Sequence, residues 1–78
     1  MLPFWFKVRG KSLSDPLANR EVIIELQPFG NLVKISAFDV ASLTEITIQA
    51  PAGTAEAIMK RNALKRLEYV LRKKGLIA

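Results

Sequence analysis

The sequence predicts an α+β fold: a three-stranded antiparallel meander followed by one long C-terminal helix packed on one face, in the order βββα. Three observations point there. Residues 20–50 hold three short β-branched runs that alternate with period two. Residues 55–74 carry a 3.6-residue apolar period with stop signals at the end. The loops between the runs have lengths that bring like faces together.

The first run, Glu21–Gln27, points Val22, Ile24 and Leu26 one way and Glu21, Ile23, Glu25 and Gln27 the other. Pro28-Phe29-Gly30-Asn31 reads as a turn, since Gly30 and Asn31 both tolerate positive φ. The second run, Leu32–Asp39, has Val33, Ile35 and Ala37 on its apolar face. Val40-Ala41-Ser42-Leu43 forms the next loop, and Thr44–Ala50 the third run, with Ile46 and Ile48 inward. A four-residue turn at 28–31 pairs Leu26 with Val33, Ile24 with Ile35, Val22 with Ala37 and, on the outer face, Glu25 with Lys34. A four-residue loop at 40–43 pairs Ala37 with Ile46 and Ile35 with Ile48. Both loops agree on one inner face, which puts Leu32–Asp39 in the centre of the meander.

Pro51-Ala52-Gly53 ends the sheet, and Thr54 is the expected N-cap, with Glu56 in the first turn beside the positive helix end. The helix is expected to reach about Lys74, with Gly75 as C-terminal cap. At 100° per residue, Met59, Ala63, Leu64, Leu67, Val70 and Leu71 fall within an arc of about 140° that faces the sheet. Residues 1–19 show no sustained period; Gly10, Pro16 and the polar run between them predict an irregular arm, so the single domain is 20–78.

Composition sets what chemistry is open. A chain of 78 residues, half hydrophobic and 24% charged, holds one globular domain near the lower size limit for a self-sufficient core. Association with a second copy relieves that limit. There is no cysteine and no histidine. Disulfides, thiolate-ligated metals and the commonest general base are therefore excluded. No glycine-rich phosphate loop, nucleophile elbow or metal-ligand spacing occurs. The reading is a protein with no catalytic residues, no cofactor, no metal and no small-molecule substrate. No secretory signal and no membrane span are expected, and the expected location is cytoplasmic.

The net charge of +5 lies wholly between Ala55 and Lys74, where seven cations face only Glu56 and Glu68. Away from the apolar stripe the helix presents Arg61, Asn62, Lys65, Arg66, Tyr69, Arg72 and Lys73, a candidate nucleic-acid contact set. The plainer reading is a solvated face that keeps a small protein in solution. On the outer sheet face Ile23, Leu32, Phe38 and Val40 sit among polar residues, a candidate dimer or partner face. Two open sheet edges add to the case for association. Phe4-Trp5-Phe6 is a third apolar feature, able to meet a partner or to fold over the outer face. Glu21, Glu25 and Glu45 share one face of neighbouring strands and read as solvated strand residues, because this architecture offers no deep pocket.

Arg20-Glu21-Val22, Gly30-Asn31-Leu32-Val33-Lys34-Ile35-Ser36-Ala37, Thr44-Glu45-Ile46 with Gln49-Ala50-Pro51, and Asn62-Ala63-Leu64-Lys65-Arg66-Leu67-Glu68-Tyr69-Val70-Leu71 resemble a small uncharacterised family of alphaproteobacteria. The resemblance covers residues 20–74, rests on structural patterns and implies no activity. The sequence therefore supports a homodimerising protein-interaction module without enzymatic chemistry; the alternative is a weak RNA- or DNA-binding protein using the basic helix face.

Overall fold

The computed structural model describes the backbone of residues 4–9, then Leu17 and residues 20–78. Among the described residues four strands, β1 (Phe4–Arg9), β2 (Glu21–Phe29), β3 (Leu32–Asp39) and β4 (Thr44–Pro51), precede one helix, α1 (Glu56–Lys73). The strands form one antiparallel sheet in the order β1-β2-β3-β4. The expected meander followed by a helix is present as β2, β3, β4 and α1.

The sheet has one strand more than expected. Phe4–Arg9 lies inside the segment read as an irregular arm, yet pairs with β2 from Phe4↔Leu26 to Arg9↔Glu21. Phe-Trp-Phe-Lys-Val-Arg is rich in strand formers. Its six residues are too few to show a period when Pro3 and Gly10 bracket them. The rest of residues 1–19, Leu17 apart, lies outside the described residues. β1 occupies the edge of β2 that the sequence left open, so β3 shares the interior of the sheet with β2.

The β3–β4 register is as expected, with Ala37↔Ile46 and Ile35↔Ile48. The β2–β3 register differs by two residues: Leu26 faces Ile35, Ile24 faces Ala37 and Val22 faces Asp39. Pro28 and Phe29 continue the strand and only Gly30-Asn31 turns, with Gly30 at φ +62°. Two-residue turns that need positive φ match strand twist, so this short turn is preferred to the four-residue one. A slip of two keeps every side chain on its face. It replaces the expected Glu25–Lys34 pair by Glu25–Ser36 and Gln27–Lys34.

The core lies between the sheet and α1. Val22, Ile24, Leu26, Val33, Ile35, Ala37 and Ile46 from the strands meet Met59, Ala63, Leu67 and Leu71 from the helix, joined by Leu17. Leu64 and Val70 pack at the stripe's margins, as the period predicts, and Ile77 closes over the core from the C-terminal tail. Thr54 is not the N-cap: that position is Ala55, and it makes no side-chain hydrogen bond to the helix. The Thr54 N–H instead bonds the Pro51 carbonyl at 3.0 Å, which makes it part of the turn. The C-terminus follows the expectation. Gly75, at φ +76°, donates to the Arg72 carbonyl at 3.0 Å, and Leu76 donates to the Leu71 carbonyl at 2.9 Å. That pair of bonds is a Schellman cap.

Candidate functional site: the outer sheet face and the basic helix

The helix packs against β3 and β4 on the inner face of the sheet. The outer face has no element over it among the described residues. Two shallow, open depressions mark it. One, of about 260 Å³, is lined by Ile23, Glu25, Ser36, Phe38 and Glu45; the other, of about 130 Å³, by Phe29, Leu32, Lys34 and Gln49. Ile23 and Phe38 are cross-strand partners and half-buried. Val40 is half-buried just beyond β3, and its N–H bonds the Glu21 carbonyl at 3.1 Å. Leu32 lies at the far end of β3, about 20 Å from Phe38 at ~3.3 Å per residue. The predicted set is thus split between two ends of one face.

Phe29 completes the second end. It pairs with Leu32 and is 73% exposed, against 38% for Leu32. Sequence reasoning placed it in a turn and missed it; a two-residue turn at Gly30-Asn31 puts it on the outer face. Between the ends the polar groups are ordered along the strands. Glu25 and Glu45 flank the Ile23–Phe38 end, and Lys34 flanks the Phe29–Leu32 end. Ser36 and Thr47 hydroxyls approach to 3.4 Å across the middle.

The predicted nucleic-acid set, Arg61, Asn62, Lys65, Arg66, Tyr69, Arg72 and Lys73, is exposed along α1. Its charges are partly engaged. Arg66 and Lys73 sit over the Tyr69 ring at 5.4 and 5.7 Å from its centroid. Arg72 pairs with Glu68 at 3.0 Å and donates to the Ala78 carbonyl at 2.9 Å.

A buried polar cluster closes one end of the core. Asp39 is fully buried and takes a bidentate contact from Arg20, Nε at 3.1 Å and Nη2 at 2.8 Å. The Ser42 N–H donates to Asp39 at 3.2 Å, and the Ser42 hydroxyl donates to the same oxygen. Ser42 Oγ lies 2.9 Å from Thr44 Oγ1. A hydroxyl has one proton, so with Ser42 giving its own to Asp39, Thr44 is the donor in that contact. Lys74 Nζ in turn donates to Thr44 Oγ1 at 3.4 Å. Burial pushes the Asp39 carboxyl up, but the hydrogen bonds from Arg20 and Ser42 and the Arg20 charge hold it below the usual carboxylate range. The same pairing raises Arg20. The residues three apart, Asp39 and Ser42, are a legible turn signal; the partner Arg20, 19 residues away, is not.

Among the described residues no cluster of acidic, His or Cys side chains has the makings of a metal site. No helix among them is long and apolar enough to cross a membrane.

Fold and surfaces together define a class: a small α+β domain whose antiparallel sheet is backed on one face by a single basic helix. Within that class the chain belongs to the family described as Domain of unknown function (DUF6898), whose model matches residues 19–74. The match spans nearly the residues over which the sequence resembles an uncharacterised family, and it likewise assigns no activity. No curated protein and no solved structure matches the chain.

Proposed function

We propose that the protein is a non-enzymatic interaction module that forms a symmetric homodimer through the outer face of its sheet. The observation that supports this reading is a face left uncovered by the described residues, with Phe29, Leu32, Ile23 and Phe38 at its two ends and charge of opposite sign beside them. Symmetric dimers need a self-complementary surface. A two-fold axis lying across the strands turns one end of the face onto the other. Lys34 of each copy then lies over Ser36 of its partner, beside Glu25, and Phe29 and Leu32 lie over Ile23 and Phe38. Charge reversal tests this arrangement. Lys34→Glu is expected to weaken the dimer by repulsion, and adding Glu25→Lys to it is expected to restore the dimer. Restoration failing while each protein stays folded rejects the arrangement.

Nucleic-acid binding by the helix face is a second reading, supported by the exposure of Arg61, Lys65 and Arg72 beside Asn62 and Tyr69. Anisotropy with a labelled duplex across a salt series tests it. Contact with three or four phosphates predicts a log–log slope of about −3 to −4, abolished by Lys65→Glu with Arg72→Glu. A flat response removes the reading. Less supports it than the dimer, because Arg72, one of the three cations it names, is already engaged by Glu68 and the Ala78 carbonyl.

A further inference from the structure

β4 ends the sheet, and among the described residues nothing pairs with its far side. The register says which groups lie there. Ala52 donates to the Asn31 carbonyl at 3.0 Å, extending the β3–β4 ladder by one hydrogen-bonded pair. In an antiparallel ladder such pairs recur every second residue. Thr44, Ile46, Ile48 and Ala50 therefore spend their N–H and C=O groups on β3. Glu45, Thr47 and Gln49 turn theirs outward, to the free edge.

The helix flanks that edge. Lys74, just past the end of α1, reaches Thr44 at the start of β4, so α1 runs antiparallel to β4 above it. For a right-handed helix in that position, with β3 on the other side, Leu64 and Glu68 fall on the flank over β3. Asn62, Arg66, Tyr69 and Lys73 fall on the flank over the free edge. Burial agrees: Leu64 and Glu68 are half-buried, and the other four are exposed.

We infer that this edge and the cationic flank above it form a docking groove for an extended acidic peptide, added as a fifth strand beside β4. Main-chain pairing with Glu45, Thr47 and Gln49 would hold the peptide. Arg66 and Lys73 select acidic side chains on its helix-facing side, while Glu45 on the opposite face discriminates against acidic ones there. A second copy of this chain is disfavoured in the groove. Pairing β4 with β4 sets the two Arg66–Lys73 flanks against each other, like charge to like. The groove rests on the main chain of the β4 edge and the helix flank, and the dimer on Lys34, Glu25 and the apolar ends of the outer face, so either proposal stands or falls without the other.

The probe is a labelled ten-residue peptide alternating glutamate and threonine, run by anisotropy against the full chain beside three comparators. These are a lysine–threonine peptide, the glutamate peptide N-methylated at alternate residues, and a short DNA duplex. The glutamate peptide is expected to bind. Affinity is expected to fall by about tenfold or more with Arg66→Glu plus Lys73→Glu, and again with N-methylation, which removes strand pairing but no charge. Hydrogen exchange supplies a readout on the unaltered protein: amides of Glu45, Thr47 and Gln49 exchange fast alone and slow with peptide. Equal binding of the N-methylated peptide overturns strand addition. Binding of the duplex but not the peptide overturns it in favour of nucleic acid. Edge amides already protected in the protein alone assign the edge to a second copy and also overturn it.

Discussion

Asp39 is the residue on which one end of the core depends. Its carboxylate is fully buried and meets Arg20, whose side chain is 19% exposed. Removing one partner of a buried pair leaves the other charge unmatched, which costs about 3–5 kcal/mol. Asp39→Ala is expected to lose stability on that scale in urea unfolding. The pH dependence has a definite sign. The folded pKa of Asp39 is depressed, so its contribution is present above the unfolded value of about 3.9 and is lost as pH falls through the lower folded value. Stability is expected to drop on acidification below about pH 4, and the Asp39→Asn protein is expected to lose part of that slope. Leu43 makes the opposite case. It holds φ +58° with its side chain 73% exposed, so it bears backbone strain with little burial in return. Leu43→Gly is expected to stabilise by about 0.5–1 kcal/mol, since the left-handed cost to an L-residue is partly offset by glycine's entropy. Thermal unfolding checks it.

Elements were legible wherever a period or a cap wrote them into the chain. The stripe of α1 and its Gly75 cap were both readable, and both place energy. Leu67 is fully buried at the centre of the stripe, so Leu67→Ala is expected to cost about 2–5 kcal/mol. Space was not the reason for Gly75, since a Cβ there meets nothing within 4 Å; the positive φ was. The inner face of β2, β3 and β4 was readable because a slip of two residues leaves faces unchanged. The same tolerance hid the error in the β2–β3 turn, and with it Phe29. β1 was lost because six residues between a proline and a glycine give no period to count. The helix start was misplaced because threonine is a good cap by type, while the local turn claimed Thr54 for Pro51. The Arg20–Asp39 pair could not be read at all, because a side-chain pair between strand ends depends on the finished fold.

At the scale of the whole molecule, one helix cannot cover both faces of a four-stranded sheet. It covers the inner one, and among the described residues an outer face with apolar ends, an open β4 edge and a cationic helix flank are left. The first of these carries the proposed function. Phe38 sits at its Ile23 end, on the outer side of an interior strand, where a charge is tolerated by a solvated face and not by an interface. The most direct measurement is light scattering of the wild-type and Phe38→Lys proteins, with circular dichroism to show that both are folded. A wild-type dimer that becomes a folded monomer on Phe38→Lys is the predicted result. A wild-type monomer, or a folded Phe38→Lys protein that stays dimeric, contradicts the outer-face dimer.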